Sequence, residues 1–250
     1  MACAETTHRV MRGDCIRVMR TLPEESVDLV VTSPPYSANK SYERGASMDR
    51  PAYRLFSEDW LASCYPLLRQ GGNMFVNTGY WSGSRGGRFF LPTAIIDAAE
   101  GAGFRFTGWI NWVKGSLEHP QSGNLGWGDI YGTAPFFRNG TEPILHFRKG
   151  RGKHRDNKHD EWTKLVREPW VMKVSHRSDH DATFPHELPR RCIRLCSLPG
   201  DVVLDPFGGG GTTGVAARQL GRGSITIERD STHFETCVRS IRAAGSERRD

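Results

Sequence analysis

The hydrophobic pattern of the chain consists of short, mainly apolar runs separated by amphipathic stretches. The runs at residues 27–31, 202–204 and 225–227 predict strands that are buried in a parallel sheet. Residues 16–22 have the spacing of a short amphipathic helix. With 250 residues, of which 37% are hydrophobic, the chain can bury a sizeable core. The pattern therefore predicts a single doubly wound, mainly parallel α/β domain that spans residues 1–250.

Four consecutive glycines, residues 208–211, follow the predicted strand 202–204. Glycine lets the backbone turn and approach a ligand closely, and a helix that begins near Thr212 points its free N–H groups at the same place. Glu228 ends the next predicted strand, about 20 residues after the first glycine, where an acid accepts hydrogen bonds from ribose hydroxyls. The unit predicts a site for an adenosine-like cofactor.

Asp205 indicates which cofactor this is. A carboxylate beside the glycine loop would repel a pyrophosphate, but it suits the ammonium group of a methionine moiety. The balance therefore favours S-adenosylmethionine over a dinucleotide. A phosphate-binding loop is disfavoured because no Gly-Lys-Ser/Thr ends the glycine run, and a tight turn without a ligand remains an alternative for this unit taken alone.

Composition narrows the class of protein. No apolar run approaches the ~20 residues that span a bilayer, and the N-terminus lacks the apolar core of a signal peptide, so we expect a cytoplasmic protein without a membrane contact. The six cysteines are scattered without C-x-x-C spacing, which predicts neither disulfides nor a metal site. The formal charge of +6 permits a polyanionic partner.

Ser33, Pro34, Pro35 and Tyr36 follow the predicted strand 27–31 directly. Two prolines supply no N–H donors and fix φ, so the chain must leave the sheet in a rigid turn. The Ser33 hydroxyl and the carbonyl groups of Ser33 and Pro34 then act as acceptors, and Tyr36 presents a flat ring. Such a pocket suits a planar base with an exocyclic amine, although a simple strand-terminating turn is the alternative for the tetrapeptide alone.

Together these motifs resemble those of amino-methylating DNA methyltransferases. The Ser-Pro-Pro-Tyr turn lies upstream of the Phe-Gly-Gly-Gly-Gly loop, which is the permuted motif order of the beta group. The resemblance covers residues 8–240 and implies a Rossmann-like S-adenosylmethionine-dependent methyltransferase fold. The unbroken glycine run departs from the family, which usually has one small non-glycine residue there. The segment around His180 also departs, so the role of that residue is open.

The resemblance also implies roles for residues outside the glycine loop. Asp14 lies in the segment that contacts the cofactor adenine, and residues 184–189 resemble the segment that packs beside the methionine end. The predicted cofactor-binding residues are Asp14, Phe184, Pro185, Leu188, Asp205, Pro206, Phe207, Gly208, Gly210, Thr212, Thr213 and Glu228.

The predicted reaction is methyl transfer to an exocyclic amine, with Ser33, Pro34, Pro35 and Tyr36 as the catalytic residues. Acceptors on the amine would make its lone pair available, and Tyr36 would stack on the flipped base.

A cytosine C5 methyltransferase needs a nucleophilic cysteine, usually after proline, and the chain has no Pro-Cys pair. In the resembling family, serine at the first position usually accompanies N4-cytosine methylation; N6-adenine methylation is the alternative. An RNA or glutamine methyltransferase and an inactive nucleic-acid-binding relative are more distant alternatives.

DNA is the expected partner, and two small insertions, at about residues 115–139 and 148–175, are the expected recognition segments. The second is rich in basic residues and predicts a loop that contacts phosphates, although a solvated loop is an equal alternative. Residues 37–50 and 81–88 flank the predicted active site. A homodimer is compatible with the sequence, which does not determine the oligomeric state. The predicted DNA-binding residues are Arg148, Lys149, Arg151, Lys153 and Arg155.

Overall fold

The structure, a computed structural model, describes residues 6–36, 48–82, 89–118, 140–151, 162–174 and 184–245. Nearly all of the first predicted recognition segment and much of the second therefore lie outside the described residues, as do most of both flanking segments. Lys153, Arg155 and His180 lie outside them as well. The predictions for these parts of the chain stay predictions.

Within the described residues, eight strands form one sheet. The strands are β1 (His8–Arg12), β2 (Val27–Thr32), β3 (Leu68–Asn77), β4 (Phe104–Lys114), β5 (Thr141–Lys149), β6 (Trp170–Met172), β7 (Val202–Asp205) and β8 (Gly223–Glu228). Their order across the sheet is β1-β8-β7-β2-β3-β5-β4-β6. Only β5 runs against its two neighbours, β3 and β4, and the other five pairings are parallel. The predicted mainly parallel fold is confirmed.

Helices cover both faces of the sheet. They are α1 (Cys15–Met19), α2 (Arg50–Cys64), α3 (Leu91–Gly101), α4 (Trp162–Leu165), α5 (Glu187–Cys196), α6 (Thr212–Gln219) and α7 (Ser231–Ala243). Alternate residues of β2 point to opposite faces, so Val30 joins the core beneath α2 and α3, whereas Leu29 and Val31 join the core beneath α5 and α6. All six β2 residues are buried, four of them apolar, as expected for a central strand of the sheet.

One element boundary differs from the sequence prediction. Helix α1 ends at Met19 rather than near residue 22. The pairing of β2 with β3 shifts register between Val27 and Leu29, which accommodates the glycines at the start of β3. No helix in the described ranges is long and apolar enough to cross a membrane.

The sheet order places the two predicted motifs side by side. Strand β2 leads into the Ser-Pro-Pro-Tyr turn, β7 leads into the glycine loop, and β2 and β7 are parallel neighbours in the sheet. Because the carboxyl ends of parallel neighbours meet at the same edge, the turn and the loop emerge together. The Thr32 hydroxyl donates a hydrogen bond to Asp205 Oδ1 at 2.7 Å and joins the two strand ends directly.

Candidate active site

The glycine loop is packed tightly against β8. The N–H of Gly208 donates to the Ile227 carbonyl at 2.8 Å, and a Cβ on Gly208 would overlap Thr226 Cγ2. Gly211, which precedes α6, has a φ of 84°, a conformation that favours glycine. Helix α6 then begins at Thr212, and the hydroxyl of Thr213 donates to the Val31 carbonyl at 3.4 Å. The loop therefore keeps its backbone close to the strand ends, as predicted for a cofactor cradle.

Glu228 connects the glycine loop to the end of β8. Its Oε2 accepts a hydrogen bond from the Gly209 N–H at 2.8 Å, and its Oε1 accepts one from the Asp230 N–H at 2.8 Å. Each carboxylate oxygen keeps further acceptor capacity. Asp14 follows β1, which is the parallel neighbour of β8, and its side chain caps α1 by accepting from the Arg17 N–H. The structure thus brings Asp14 and Glu228 to adjacent strand ends.

Asp205 is buried at the end of β7, with 2% of its surface exposed. Its Oδ1 accepts hydrogen bonds from the Thr32 hydroxyl and, at 3.1 Å, from the Phe207 N–H. Burial raises the pKa of Asp205 to about 6, against the opposing effect of these donors. A buried, hydrogen-bonded carboxylate beside the loop is therefore ionised at neutral pH and available for a cationic ligand group.

Asp205→Asn is expected to change how stability depends on pH. Because the folded-state pKa of Asp205 is raised, the folded protein binds more protons than the unfolded chain between about pH 4 and pH 6, and its stability falls as pH rises through that window. The variant lacks this loss, so its unfolding free energy relative to the native protein should rise by about 2 kcal/mol from pH 4 to pH 7. Urea denaturation at both pH values measures the difference; an equal difference at both would contradict the raised pKa.

Phe207 and the segment before α5 lie on opposite faces of the sheet. Phe207 packs edge-on against Trp60 of α2, with the ring centroids 5.4 Å apart. Leu188, in contrast, is 1% exposed in the core beneath α5, and Phe184 packs against that same core. The Leu188 N–H donates to the Pro185 carbonyl at 2.9 Å, which begins the helix. Pro206 is buried between Asp205 and Phe207.

The Ser-Pro-Pro-Tyr turn is held by hydrogen bonds to its tyrosine. The hydroxyls of Ser33 and Tyr36 are 3.1 Å apart, and the Tyr36 hydroxyl lies 3.1 Å from Asn77 Oδ1 and 3.4 Å from Glu142 Oε2. A Cβ on Gly79 would lie 3.2 Å from the Tyr36 ring, so the ring is close to the backbone after β3. Asn77 and Glu142 come from strands whose pairing the sequence does not reveal.

Lys114 joins the hydrogen-bonded side chains around Tyr36. Its ammonium donates to Glu142 Oε1 at 2.6 Å, and both side chains are mostly buried, with 22% and 16% of their surfaces exposed. Asn77, Lys114 and Glu142 are site residues that the sequence motifs do not predict. Their positions offered one clue: each is a polar residue next to an apolar strand segment. Asn77 ends β3, Lys114 ends β4 and Glu142 lies near the start of β5, all at the edge of the sheet where β2 ends.

The structure contradicts the predicted phosphate contacts of Arg148 and Lys149. Both belong to β5 rather than to a loop, and because β5 is antiparallel, its carboxyl end meets the beginning of β3, at the edge opposite Ser33. Lys149 is 5% exposed, with its ammonium 4.8 Å from the centre of the Tyr65 ring. Arg151 follows this strand and is exposed.

A metal site is not evident in the part of the chain that the structure describes. No group of three or more His, Cys, Asp or Glu side chains in it could hold a metal ion.

The fold and the paired loop and turn define a Rossmann-like methyltransferase. The family model described as DNA methylase, of the N6/N4 amino-methyltransferase type, matches residues 27–239, and the chain belongs to this family. Type II methyltransferase M.MjaI of Methanocaldococcus jannaschii is 32% identical, over 91% of this chain and 88% of that protein. Type II methyltransferase M.ScaI of Streptomyces caespitosus is 28% identical, over 92% and 80%.

A solved structure has the same fold. TTHA0409 of Thermus thermophilus, a proposed DNA modification methylase in complex with S-adenosyl-L-methionine, is 26% identical, with a TM-score of 0.70 over 95% of this chain and 94% of that one. The predicted resemblance to amino-methylating DNA methyltransferases is confirmed at the level of the family.

Proposed function

We propose that this DNA methyltransferase transfers the methyl group of S-adenosyl-L-methionine to the N4 amine of a cytosine in DNA. S-adenosyl-L-methionine is the cofactor of this enzyme class. The observation that carries the proposal is the junction between β2 and β7, where the Thr32–Asp205 hydrogen bond joins the cofactor loop to the Ser33–Tyr36 turn. A base held by the turn therefore lies next to a cofactor held by the loop.

The residues around the loop fit the chemical groups of this cofactor. Asp205 supplies a buried carboxylate for the ammonium, Glu228 keeps acceptor capacity for the ribose hydroxyls, and Asp14 lies at the next strand end for the adenine. The close packing of Gly208 on β8 leaves no room for a side chain there and keeps the loop backbone close to the end of that strand. When bound, the cofactor supplies an electrophilic methyl group on a sulfonium.

The turn provides what a poorly nucleophilic amine needs. Ser33 Oγ and the Pro34 carbonyl act as acceptors for the amine hydrogens, which favours a pyramidal nitrogen with an available lone pair. Pro34 and Pro35 keep the turn rigid, and the Tyr36 ring stacks on the extruded base. Placement of the amine against the methyl group then supplies much of the rate enhancement.

Serine at the first position of the turn supports cytosine as the base, since this residue usually accompanies N4-cytosine methylation in the family. M.MjaI and M.ScaI are named type II methyltransferases, which supports a role of this chain in restriction-modification. DNA contacts are proposed for Lys153 and Arg155 and for the segment 115–139, whereas Arg151 follows the end of β5 at the edge opposite Ser33.

Glu228→Ala is expected to weaken cofactor binding by about 10- to 100-fold, because hydrogen bonds to a charged group contribute about 1.5–3 kcal/mol. The variant also leaves the Gly209 and Asp230 N–H groups without their acceptor. Titration calorimetry with S-adenosyl-L-methionine measures the change, and Glu228→Gln, which keeps one acceptor oxygen, should lose less. Unchanged affinity in Glu228→Ala would remove this residue from the ribose site.

The base is identified by digestion of the product. The purified protein is incubated with unmethylated DNA and S-adenosyl-L-methionine, and the nucleosides are separated by mass spectrometry. We expect N4-methylcytosine. N6-methyladenine would keep the mechanism and overturn the interpretation of Ser33, and no methylated nucleoside, with cofactor binding intact, would move the search to RNA or protein substrates.

A further inference from the structure

The Tyr36 hydroxyl lies within a continuous hydrogen-bonded chain that connects the catalytic turn to three other strand ends. It is 3.1 Å from Ser33 Oγ on one side, and 3.1 Å from Asn77 Oδ1 and 3.4 Å from Glu142 Oε2 on the other. Lys114 closes the chain through its 2.6 Å ion pair with Glu142. The stacking role assigned to the Tyr36 ring does not require any of these contacts.

At the Glu142 end of this hydrogen-bonded series, the donors and acceptors can be assigned. Asn77 Nδ2 donates to Glu142 Oε2 at 3.3 Å and to the Pro143 carbonyl at 3.4 Å. Neither atom can donate when the carboxylate is ionised, so the amide group of Asn77 is oriented with Nδ2 towards them and Oδ1 towards Tyr36. The Lys114 ammonium donates to the other carboxylate oxygen, Glu142 Oε1, at 2.6 Å, so both carboxylate oxygens face donors.

This assignment determines the direction of the next two hydrogen bonds. The Tyr36 hydroxyl carries one hydrogen, and it faces Asn77 Oδ1 and Glu142 Oε2, which are both acceptors. Tyr36 therefore donates outwards, and its oxygen accepts from Ser33. With its own hydrogen directed to Tyr36, the Ser33 oxygen presents lone pairs to the substrate side.

We infer that Glu142, assisted by Asn77 and Lys114, is a positioning residue that orients the Ser33 hydroxyl as an acceptor for the substrate amine. The inference rests on the proposed function, in which Ser33 accepts a hydrogen bond from an exocyclic N–H. If each hydrogen bond in the series were donated in the opposite direction, the Ser33 hydrogen would point at the amine hydrogens and repel them. Glu142 acts through Tyr36 and does not contact the base.

A double-mutant cycle between Glu142 and Tyr36 tests this inference. In Glu142→Gln, the new amide oxygen stays on Lys114 and the new amide nitrogen faces Asn77 Nδ2, so the Asn77 amide must turn and donate to the Tyr36 oxygen, which reverses the hydrogen bonds. Tyr36→Phe removes the hydroxyl but keeps the ring. We expect Glu142→Gln to lower kcat about tenfold in the native background, which equals about 1.4 kcal/mol, with the Kd of S-adenosyl-L-methionine within about twofold. In the Tyr36→Phe background, we expect Glu142→Gln to lower kcat no further.

Two results would overturn the inference: a native kcat in Glu142→Gln, or the same loss of kcat in both backgrounds. If Glu142→Gln does not fold, Lys114→Met takes its place in the cycle, because it removes the ion pair with the Glu142 carboxylate. Glu58→Gln is the matched control, since it breaks the 2.8 Å ion pair with Arg54 on the exposed face of α2 and should keep the native kcat. Failure of the proposed function is distinguished separately, because the native enzyme would then yield no N4-methylcytosine.

Discussion

Tyr36→Ala is expected to lower the rate of base methylation by about 100-fold, while the affinity for S-adenosyl-L-methionine stays within a few-fold of the native value. The alanine removes the stacking surface, for which about 1–3 kcal/mol per base is typical, and it removes the hydroxyl that orders Ser33. Asp205 and Glu228, the proposed cofactor-binding residues, form hydrogen bonds that do not involve Tyr36. Single-turnover kinetics at saturating cofactor, combined with calorimetry, separates the two effects.

Tyr36→Phe is the matched control for the ring. Phenylalanine keeps the stacking surface and the packing beside Gly79, so its loss of rate should be about tenfold smaller than that of the alanine variant. If Tyr36→Ala lowered cofactor affinity as strongly as it lowered the rate, the turn would not be the catalytic element that we propose.

Gly208→Ala is the second substitution with a large expected effect. The new Cβ would overlap Thr226 Cγ2 and lie 3.2 Å from the Ile227 carbonyl oxygen, and Thr226 is fully buried within β8. The loop must move away from the strand, which costs about 1–3 kcal/mol of unfolding free energy and displaces the backbone that approaches the cofactor. We expect about 100-fold weaker binding of S-adenosyl-L-methionine by calorimetry.

Gly101→Ala provides the comparison for this substitution. Gly101 lies in the last turn of α3, and a Cβ there would meet no heavy atom within 4 Å. We expect native cofactor affinity and a native or slightly higher midpoint of thermal unfolding, because alanine is the better helix former. Native affinity in Gly208→Ala would show that the cofactor does not depend on the close approach of this loop.

Local motifs could be predicted from the sequence because their parts are contiguous. Strand β7, the glycine loop, α6 and β8 follow one another directly, so the spacing from Gly208 to Glu228 already defined the unit. The Ser33–Tyr36 turn was identified in the same way, from two prolines after a buried strand. The adjacency of β2 and β7 then brought both motifs to one edge of the sheet.

Residues brought together by strand pairing could not be predicted in this way. Asn77 and Glu142 lie 41 and 106 positions from Tyr36, and they reach it only through the register of β3 and β5. The apolar pattern of β5 does not indicate its antiparallel direction. For the same reason the sequence placed Lys149 in a DNA-facing loop, whereas the strand carries it to the opposite edge.

The reversed direction of β5 has a consequence for how this enzyme can be re-engineered. Strand β4 ends and β5 begins at the substrate edge, and the Lys114 N–H donates to the Gly140 carbonyl at 2.9 Å, so the intervening segment departs and returns at adjacent points. A graft from a relative, longer or shorter, can replace residues 116–139 while every backbone pairing of the sheet is kept. The length of the proposed recognition segment can therefore change without a change in the sheet that carries the proposed active site.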